Sequence, residues 1–399
     1  MHPAEDIRGI KSNKLSKKKI VLGVTGSIAA VESVKLSRDL IRRGAEVFPV
    51  MTKAATRIIH PDSLEFATSN KPIVELTGRT EHVSFCGLTK DHVDLLLVSP
   101  CTANTISKIA LGVDDTPVTT FATTAIGSGI SIVVVPAMHL SMYKHKVVQK
   151  NIDKCKRMGI YFIDPLIAGN KVKMPSVNEI VENVIRTIGR QDLKKKNILI
   201  IGGATAQPLD DIRILTNRSS GKTAIALANN AFERGANVEL WYGYAKEYPP
   251  SYISVKNFET VKDLLGLLEN NDLKFELIIL CAAIADYFPK KQKGKIPSGK
   301  NKLVLELSPA PKIIQKIRSK APKSKIIAFK VEERKENLKE KSYQLLKKNQ
   351  LDFVIANTIS AFGRNENDIF IVNKKGKSIH KKGKKEELAD YILSIIQRD

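Results

Sequence analysis

Cysteine is scarce in this 399-residue chain, and its four copies, Cys86, Cys101, Cys155 and Cys281, form no C-x-x-C pair. A disulfide framework or a zinc site is therefore not expected. Three of the four lie in or beside apolar segments, where a cysteine serves as a small core residue. Long apolar runs are missing too. The longest, such as SIVVVPAM and ELIILCAAIA, fall far short of a membrane span. The start, MHPAEDIRGIKSNKLSKKK, is charged and has no apolar h-region, so no signal peptide is read there and a cytoplasmic protein is expected. Negative charge is in deficit: 41 acidic against 65 basic residues leave a formal net charge of +24. Such a surplus can mean nucleic acid. Here the lysines are spread over the whole chain, aromatics are only 6%, and no RNA-binding signature is present. Substrates that carry several phosphates fit the charge better, and neither nucleic acid nor a membrane is expected as a partner.

A chain this long exceeds one ordinary core, so two domains are the default. KKKIVLGVTGSIAAVESVKLSRDLIRRGAEVFPVMT reads as a strand over 19–24, a Gly-Ser turn, a helix over Ile28–Arg43 and a strand over 45–51, a βαβ unit. Buried strands follow at VDLLLVSP and ISIVVVPA. The grammar restarts at KKKNILIIGG, with a helix at SSGKTAIALANNAFERG and strands at ANVELWYGY, ELIILCAAIADY, KIIAFKVE and DFVIANT. IFIVNKKGKSIH reads as a hairpin turning at Lys374–Gly376, and KKEELADYILSIIQ as a closing helix. The expected fold is α/β: two doubly wound, mostly parallel-sheet domains over 19–190 and 191–399, after a basic tail over 1–18. PKKQKGKIPSGKNK has few apolar residues and is expected to be an exposed, mobile loop. Small and polar residues gather after four strands, at GVTGS, VSPCTANT, IIGGAT and CAAIADY. Doubly wound sheets bind ligands at the carboxyl ends of their strands, so two nucleotide-like sites are expected.

Two familiar phosphate motifs are absent. Thr216 stands where a P-loop needs its first glycine, five residues before Gly221, and the leading strand is too far upstream, which excludes Walker-type hydrolysis. Gly26-Ser27-Ile28-Ala29 is not a G-x-G-x-x-G fingerprint either. Both segments still open helices, and free N–H groups at a helix start attract anions.

Ser99-Pro100-Cys101-Thr102-Ala103-Asn104-Thr105, then Lys108, Ala110 and Gly112, followed by Pro136-Ala137-Met138-His139-Leu140-Ser141-Met142-Tyr143, resemble the flavoproteins that decarboxylate cysteine amides. Gly202-Gly203-Ala204-Thr205, Pro208-Leu209-Asp210, Arg213 and Thr216–Lys222 resemble phosphopantothenate–cysteine ligases, as do Ala282–Tyr287, Lys295-Ile296, Ala328–Glu332 and Ala356-Asn357. The order and fusion of both halves resemble the bifunctional coenzyme A biosynthesis family over nearly the whole chain. The resemblance implies a flavodoxin-like HFCD flavoprotein domain followed by a Rossmann-like ligase domain. It implies CTP-dependent ligation of cysteine to 4′-phosphopantothenate through an acyl-cytidylate, with Mg²⁺ accompanying the CTP. FMN-dependent decarboxylation of 4′-phosphopantothenoylcysteine to 4′-phosphopantetheine follows. It further implies a homo-oligomer. Carried onto this chain, it makes Gly26, Ser27, Thr52, Ser99, Thr102 and Asn104 flavin contacts and His82 the catalytic base, with His139 and Met142 at the substrate. In the second half it makes Lys295 and Asn217 catalytic and Asp286 a nucleotide or metal contact. Ser219, Ser220, Gly221, Lys300, Phe329, Lys341 and Lys348 become nucleotide or substrate contacts.

The chain departs from the family pattern in places. His139 replaces the asparagine of P-A-M-N, and Gln207 stands at the glutamate of T-x-E. The flap A-C-G-x-x-G-x-G-R-M, whose cysteine donates the last proton, corresponds here to LIAGNKVKMPS, Leu166–Ser176, with no cysteine. Water, Lys171 or Lys173 are left as donors. An alternative follows, in which only the ligase works and the flavin domain releases an enethiol-type product.

Overall fold

A computed structural model describes residues 2–298, 302–334, 336–359 and 364–398. The chain divides into two compact units, Met1–Gln191 and Asp192–Asp399.

The first unit carries β1 (Lys19–Val24), β2 (Glu46–Met51), β3 (Leu95–Cys101), β4 (Ser131–Pro136), β5 (Met138–His139), β6 (Tyr161–Phe162), β7 (Leu166–Ala168) and β8 (Lys171–Lys173). Its main sheet has the order β2-β1-β3-β4-β6, parallel throughout. Alternate residues of each strand feed opposite faces. Ile20, Leu22, Leu95 and Leu97 enter one core, and Val21, Leu96 and Val98 the other. Helices cover both faces, which explains the continuous apolar runs of these strands. The expected helix over Ile28–Arg43 is two pieces, a 3-10 turn over Ile28–Glu32 and an α-helix over Ser33–Arg42. A tight first turn of this kind is common at helix starts. β5, β8 and β7 form a separate small antiparallel sheet.

The segment expected as a basic tail is not one. Pro3–Asp6 form a short helix, and Ala4 and Leu15 are fully buried in the first core. Gly9 N–H donates to the Ile41 carbonyl at 3.0 Å, and Lys11 pairs with Asp39. Two isolated apolar residues in a lysine-rich stretch give too little pattern to foresee this. Burying a leucine is nonetheless worth about 1.5–3 kcal/mol.

The second unit carries β9 (Asn197–Gly202), β10 (Ala206–Pro208), β11 (Ile214–Thr216), β12 (Asn237–Tyr242), β13 (Ser254–Asn257), β14 (Leu277–Leu280), β15 (Tyr287–Pro289), β16 (Leu307–Pro309), β17 (Lys325–Glu332), β18 (Phe353–Thr358), β19 (Glu366–Asn373) and β20 (Ser378–Lys384). The main sheet has the order β13-β12-β9-β14-β17-β18-β19-β20, parallel through β18 and antiparallel for the last two strands. The β19–β20 hairpin turns at Gly376, whose φ is +73°. Trp241, the only tryptophan of the sequence, is fully buried on β12 and donates to Glu239 Oε1 at 2.6 Å.

In each unit the chain winds outward from one strand and then returns to that strand's other side. The reversal falls between β1 and β3 in the first unit and between β9 and β14 in the second. Such switch points open a crevice at the carboxyl ends of the strands.

Candidate functional site

At the switch point of the first unit, Thr25–Ser27 follow β1, Thr52 follows β2, and Ser99–Asn104 close β3 and open the helix Ala103–Leu111. Thr25 Oγ1 donates to the Pro100 carbonyl at 2.8 Å and accepts from Thr102 N–H at 3.1 Å, which ties the first and third loops together. Thr52 N–H donates to the Val24 carbonyl at 3.0 Å and binds the second loop in. A Cβ on Gly26 would lie 2.6 Å from Ala54 Cβ, so only glycine allows this close approach. The six expected flavin contacts therefore share the ends of three adjacent strands. Ser99 is fully buried there, and Asn104 is exposed.

His82 lies on the short helix Glu81–Cys86. Its Nδ1 is buried and has no hydrogen-bond partner. An orphaned polar atom of this kind is costly in a folded protein unless a ligand completes it. His139 caps the turn Leu140–Tyr143, its Nδ1 accepting from Ser141 N–H at 3.4 Å and lying 2.9 Å from Ser141 Oγ. It faces Lys171 across the β5–β8 register, and Leu140 N–H donates to the Asn170 carbonyl at 2.9 Å. The cysteine-free segment at Leu166 is thus docked against His139 by backbone pairing. Cys155 is no substitute proton donor, because burial pushes its thiol up to about 11 and Sγ is committed to the Ile106 carbonyl.

The second unit holds a cavity of about 130 Å³ at its own switch point. One wall is Ser219, Ser220, Gly221 and Thr223, at the start of the helix Lys222–Glu233. Gly221 has φ +77° and offers no side-chain cap of its own; Ser220 Oγ accepts from Lys222 N–H at 3.4 Å, and the start of this 12-residue helix borders the cavity at Gly221, Thr223 and Ala224. A helix start presents positive charge to any anion bound there. A Cβ on Gly221 would fall 1.7 Å from Tyr242 Oη, which itself donates to the Glu247 carbonyl at 2.8 Å. The floor is Ala282 and Ala283 after β14, and Phe329 from β17 completes it.

Asn367 and Lys385 also line this cavity, and sequence reasoning missed both. Lys385 lies in the run KKGKKEE, where no pattern separates one lysine from its neighbours. Burial, with a smaller contribution from the charge of Lys222, holds its ammonium below the ordinary lysine range. Asn367 sits near the start of an antiparallel strand and is buried.

The other expected residues are placed as follows. Asn217, directly after β11, donates through Nδ2 to the Ala283 carbonyl at 3.2 Å, next to the cavity floor. Lys295 is exposed, between two tethered neighbours: Gly294 N–H donates to Asp211 Oδ2 at 2.8 Å, and Ile296 N–H to Asp210 Oδ2 at 2.9 Å. The segment expected as an exposed, mobile loop is exposed at Lys295 and tethered on both sides of it. Ile296 is buried, the one apolar residue that a charged stretch uses as an anchor. Lys341 does not line the cavity and pairs with Glu332 at 2.7 Å, and Lys348 is exposed at the end of its helix. Asp286 pairs with Lys312 at 2.7 Å, and among the described residues no group of three or more His, Cys, Asp or Glu could hold a metal ion. Lys300 lies outside the described residues.

Residues 8–189 match the family model "Flavoprotein", and residues 193–398 match "DNA/pantothenate metabolism flavoprotein C-terminal domain". The coenzyme A biosynthesis bifunctional protein CoaBC of Thermococcus kodakarensis is 43% identical over 404 residues, covering 100% of this chain and 99% of that one. The chain belongs to the coenzyme A biosynthesis bifunctional protein family. The member from Methanocaldococcus jannaschii is 36% identical, covering 100% of this chain and 98% of its own. A solved DNA/pantothenate metabolism flavoprotein from Streptococcus pneumoniae is 26% identical, covering 51% of this chain and 99% of that one with a TM-score of 0.46. The flavoprotein half of this coenzyme A biosynthesis protein, residues 8–189, precedes the other half, residues 193–398. No helix among the described residues is long and apolar enough to cross a membrane.

Proposed function

We propose that the second unit is the ligase and the first the decarboxylase of this bifunctional coenzyme A biosynthesis enzyme. The chain carries both activities. Ligation without the second step is not favoured, because full-length relatives named for the bifunctional protein match all of it.

The observation that carries the ligase reading is that the start of the helix Lys222–Glu233 lines a cavity at the switch point. In this reading the N–H groups of Ser219–Thr223 hold the CTP phosphates. Lys385 neutralises them, and Phe329 and Asn367 bound the rest of the nucleotide. The carboxylate of 4′-phosphopantothenate attacks the α-phosphorus, the bond to the β-phosphate breaks, and pyrophosphate leaves. Lys295 stabilises the charge that develops at that phosphorus. The cysteine amine then attacks the acyl carbon, and CMP departs with the bonding pair. Asn217 donates to the acyl-cytidylate during this step. The described residues do not fit a resident metal, so the proposed Mg²⁺ arrives with the triphosphate as part of the substrate.

For the decarboxylase, the hydroxyls and N–H groups at the ends of β1, β2 and β3 suit FMN, with Gly26 and Ser27 at its phosphate. Bound there, FMN supplies reversible oxidation of the substrate thiol, which gives the departing carboxylate an electron sink. His82 Nδ1, buried and without a partner, is placed in this reading to accept a substrate proton. His139 and Met142 bracket the substrate, His139 holding its carboxylate. We further read the enzyme as a cytoplasmic homo-oligomer, which light scattering of the purified protein tests.

The deciding experiment gives purified protein 4′-phosphopantothenate, cysteine, Mg²⁺ and either CTP or ATP, and identifies products by mass spectrometry. The expected product is 4′-phosphopantetheine with CTP. Accumulation of 4′-phosphopantothenoylcysteine or of its enethiol would overturn the reading of the first unit.

A further inference from the structure

The segment that carries Lys295 is stitched to the turn between β10 and β11. Gln292 N–H donates to the Leu209 carbonyl at 2.9 Å, and Asp211 N–H to the Gly294 carbonyl at 3.2 Å. Gly294 N–H returns a bond to Asp211 Oδ2 at 2.8 Å, and Lys291 pairs with Asp211 Oδ1 at 2.7 Å. The centre of the stitching is Asp210, whose side chain is fully shielded from solvent. Its Oδ1 accepts from Ile212 N–H at 2.8 Å and Arg213 N–H at 2.6 Å. Its Oδ2 accepts from Ile296 N–H at 2.9 Å and from Arg213 Nη1 at 3.2 Å. The same Arg213 nitrogen donates to the Ile296 carbonyl at 3.1 Å, so residue 296 is held at both its N–H and its C=O.

A buried carboxylate that accepts four charge-assisted or backbone bonds is a rigid joint. The backbone on each side of Lys295 is fixed to that joint, while the ammonium remains exposed. The chain then leaves the turn through β11 and reaches Asn217 at once. Lys295 and Asn217, far apart in sequence, are therefore mounted on one frame.

We propose that Asp210 is a positioning residue for nucleotidyl transfer, acting with Arg213 as a clasp that sets where Lys295 stands and registers it to Asn217. The proposal rests on the reading of Lys295 as the cation of that step. The clasp supplies no group to the reaction. It removes the freedom that an ammonium on a loose loop would have to give up each time it meets the phosphate. A misplacement of about 1 Å at such a group can cost about 100-fold in rate.

The test uses the full-length enzyme and follows pyrophosphate release from CTP with 4′-phosphopantothenate in the absence of cysteine. Asp210→Asn is expected to lower kcat by about 100-fold and to change KM for CTP by less than about threefold. Arg213→Lys, which keeps a counter-ion but loses the forked contact, should lower kcat by about 10-fold and covers the case in which Asp210→Asn fails to fold. Hydrogen exchange at Gly294 and Ile296 should accelerate in both variants. In a Lys295→Ala background, Asp210→Asn should cost no more than about threefold further, because the two act through one group. If Lys295→Ala is crippled and the clasp variants are not, the clasp is wrong and the Lys295 assignment stands. If Lys295→Ala retains full nucleotidyl transfer, that assignment falls and takes the clasp's role with it. A full additional loss in the double variant also overturns the proposal.

Discussion

The charge of Lys222 helps hold the neighbouring Lys385 ammonium below its ordinary pKa, second to burial, on the wall of the second unit's cavity. Like charges near each other disfavour their charged forms, here only partly offset by Glu247, 3.8 Å from Lys222. The folded state therefore binds fewer protons at Lys385 than the unfolded state does. Its destabilising effect is present at low pH and is relieved as pH rises through the depressed pKa toward the ordinary lysine value. Replacement by a neutral side chain should remove that penalty and hold nucleotide worse. Lys385→Met is expected to raise KM for CTP by about tenfold, equal to about 1.4 kcal/mol, while the melting temperature without nucleotide stays level or rises. Parallel steady-state kinetics and thermal melts check both halves. A fall in melting temperature with KM unchanged would remove Lys385 from the site.

Gly221 should be intolerant of any side chain. A β-carbon would meet Tyr242 Oη at 1.7 Å, and the residue's φ of +77° is strained for any other residue. Gly221→Ala is expected to cost about 1–3 kcal/mol of stability in the second unit and to weaken nucleotide binding strongly. Denaturation and nucleotide titration measure the two effects. Wild-type affinity in a stable variant would mean that the helix start is not the phosphate site.

His82→Asn should stop decarboxylation by about 10²- to 10⁴-fold and leave ligation at its normal rate, with flavin still bound. Separate assays of the two half-pathways on one preparation decide this. Equal loss of both activities would show that the two units are not assigned to the right steps.

Asp210 gives the second unit an acid limit. The Ile296 N–H, and then those of Arg213 and Ile212, hold its carboxyl down to about 2. A carboxyl lowered on folding contributes fully above its unfolded pKa of about 4, and that contribution is lost as pH falls toward the folded value. The clasp is thus intact at all physiological pH. Melts of the wild type from pH 5 downward should steepen below about pH 4, and Asp210→Asn should show a shallower slope there. Identical slopes would argue that the carboxylate carries no such load.

Much of this architecture is legible in the chain because buried parallel strands are continuous apolar runs. KIVLGV, LLLVSP, SIVVVP and NILIIG each became a central strand, and the polar residues that follow them mark the site ends. The family motifs single out Gly26 and Ser219–Gly221 as candidates among such residues. What stayed hidden has the opposite character. Lys385 is one lysine in a run of them, and only the fold shows which one turns inward. Asp210 is legible only as part of the ligase-like Pro208-Leu209-Asp210 motif; its clasp is hidden, since its partner Ile296 lies 86 positions away. Ala4 and Leu15 are single apolar residues in a polar stretch, without the repetition that reveals an element.

Trp241 has a use beyond packing. It is the sequence's only indole, and it lies sealed within the sheet of the second unit. Its emission therefore reports on that unit alone, while the yellow absorbance of a bound flavin would report on the other. Two wavelengths on one sample would show whether the halves of this fused enzyme melt together or one after the other.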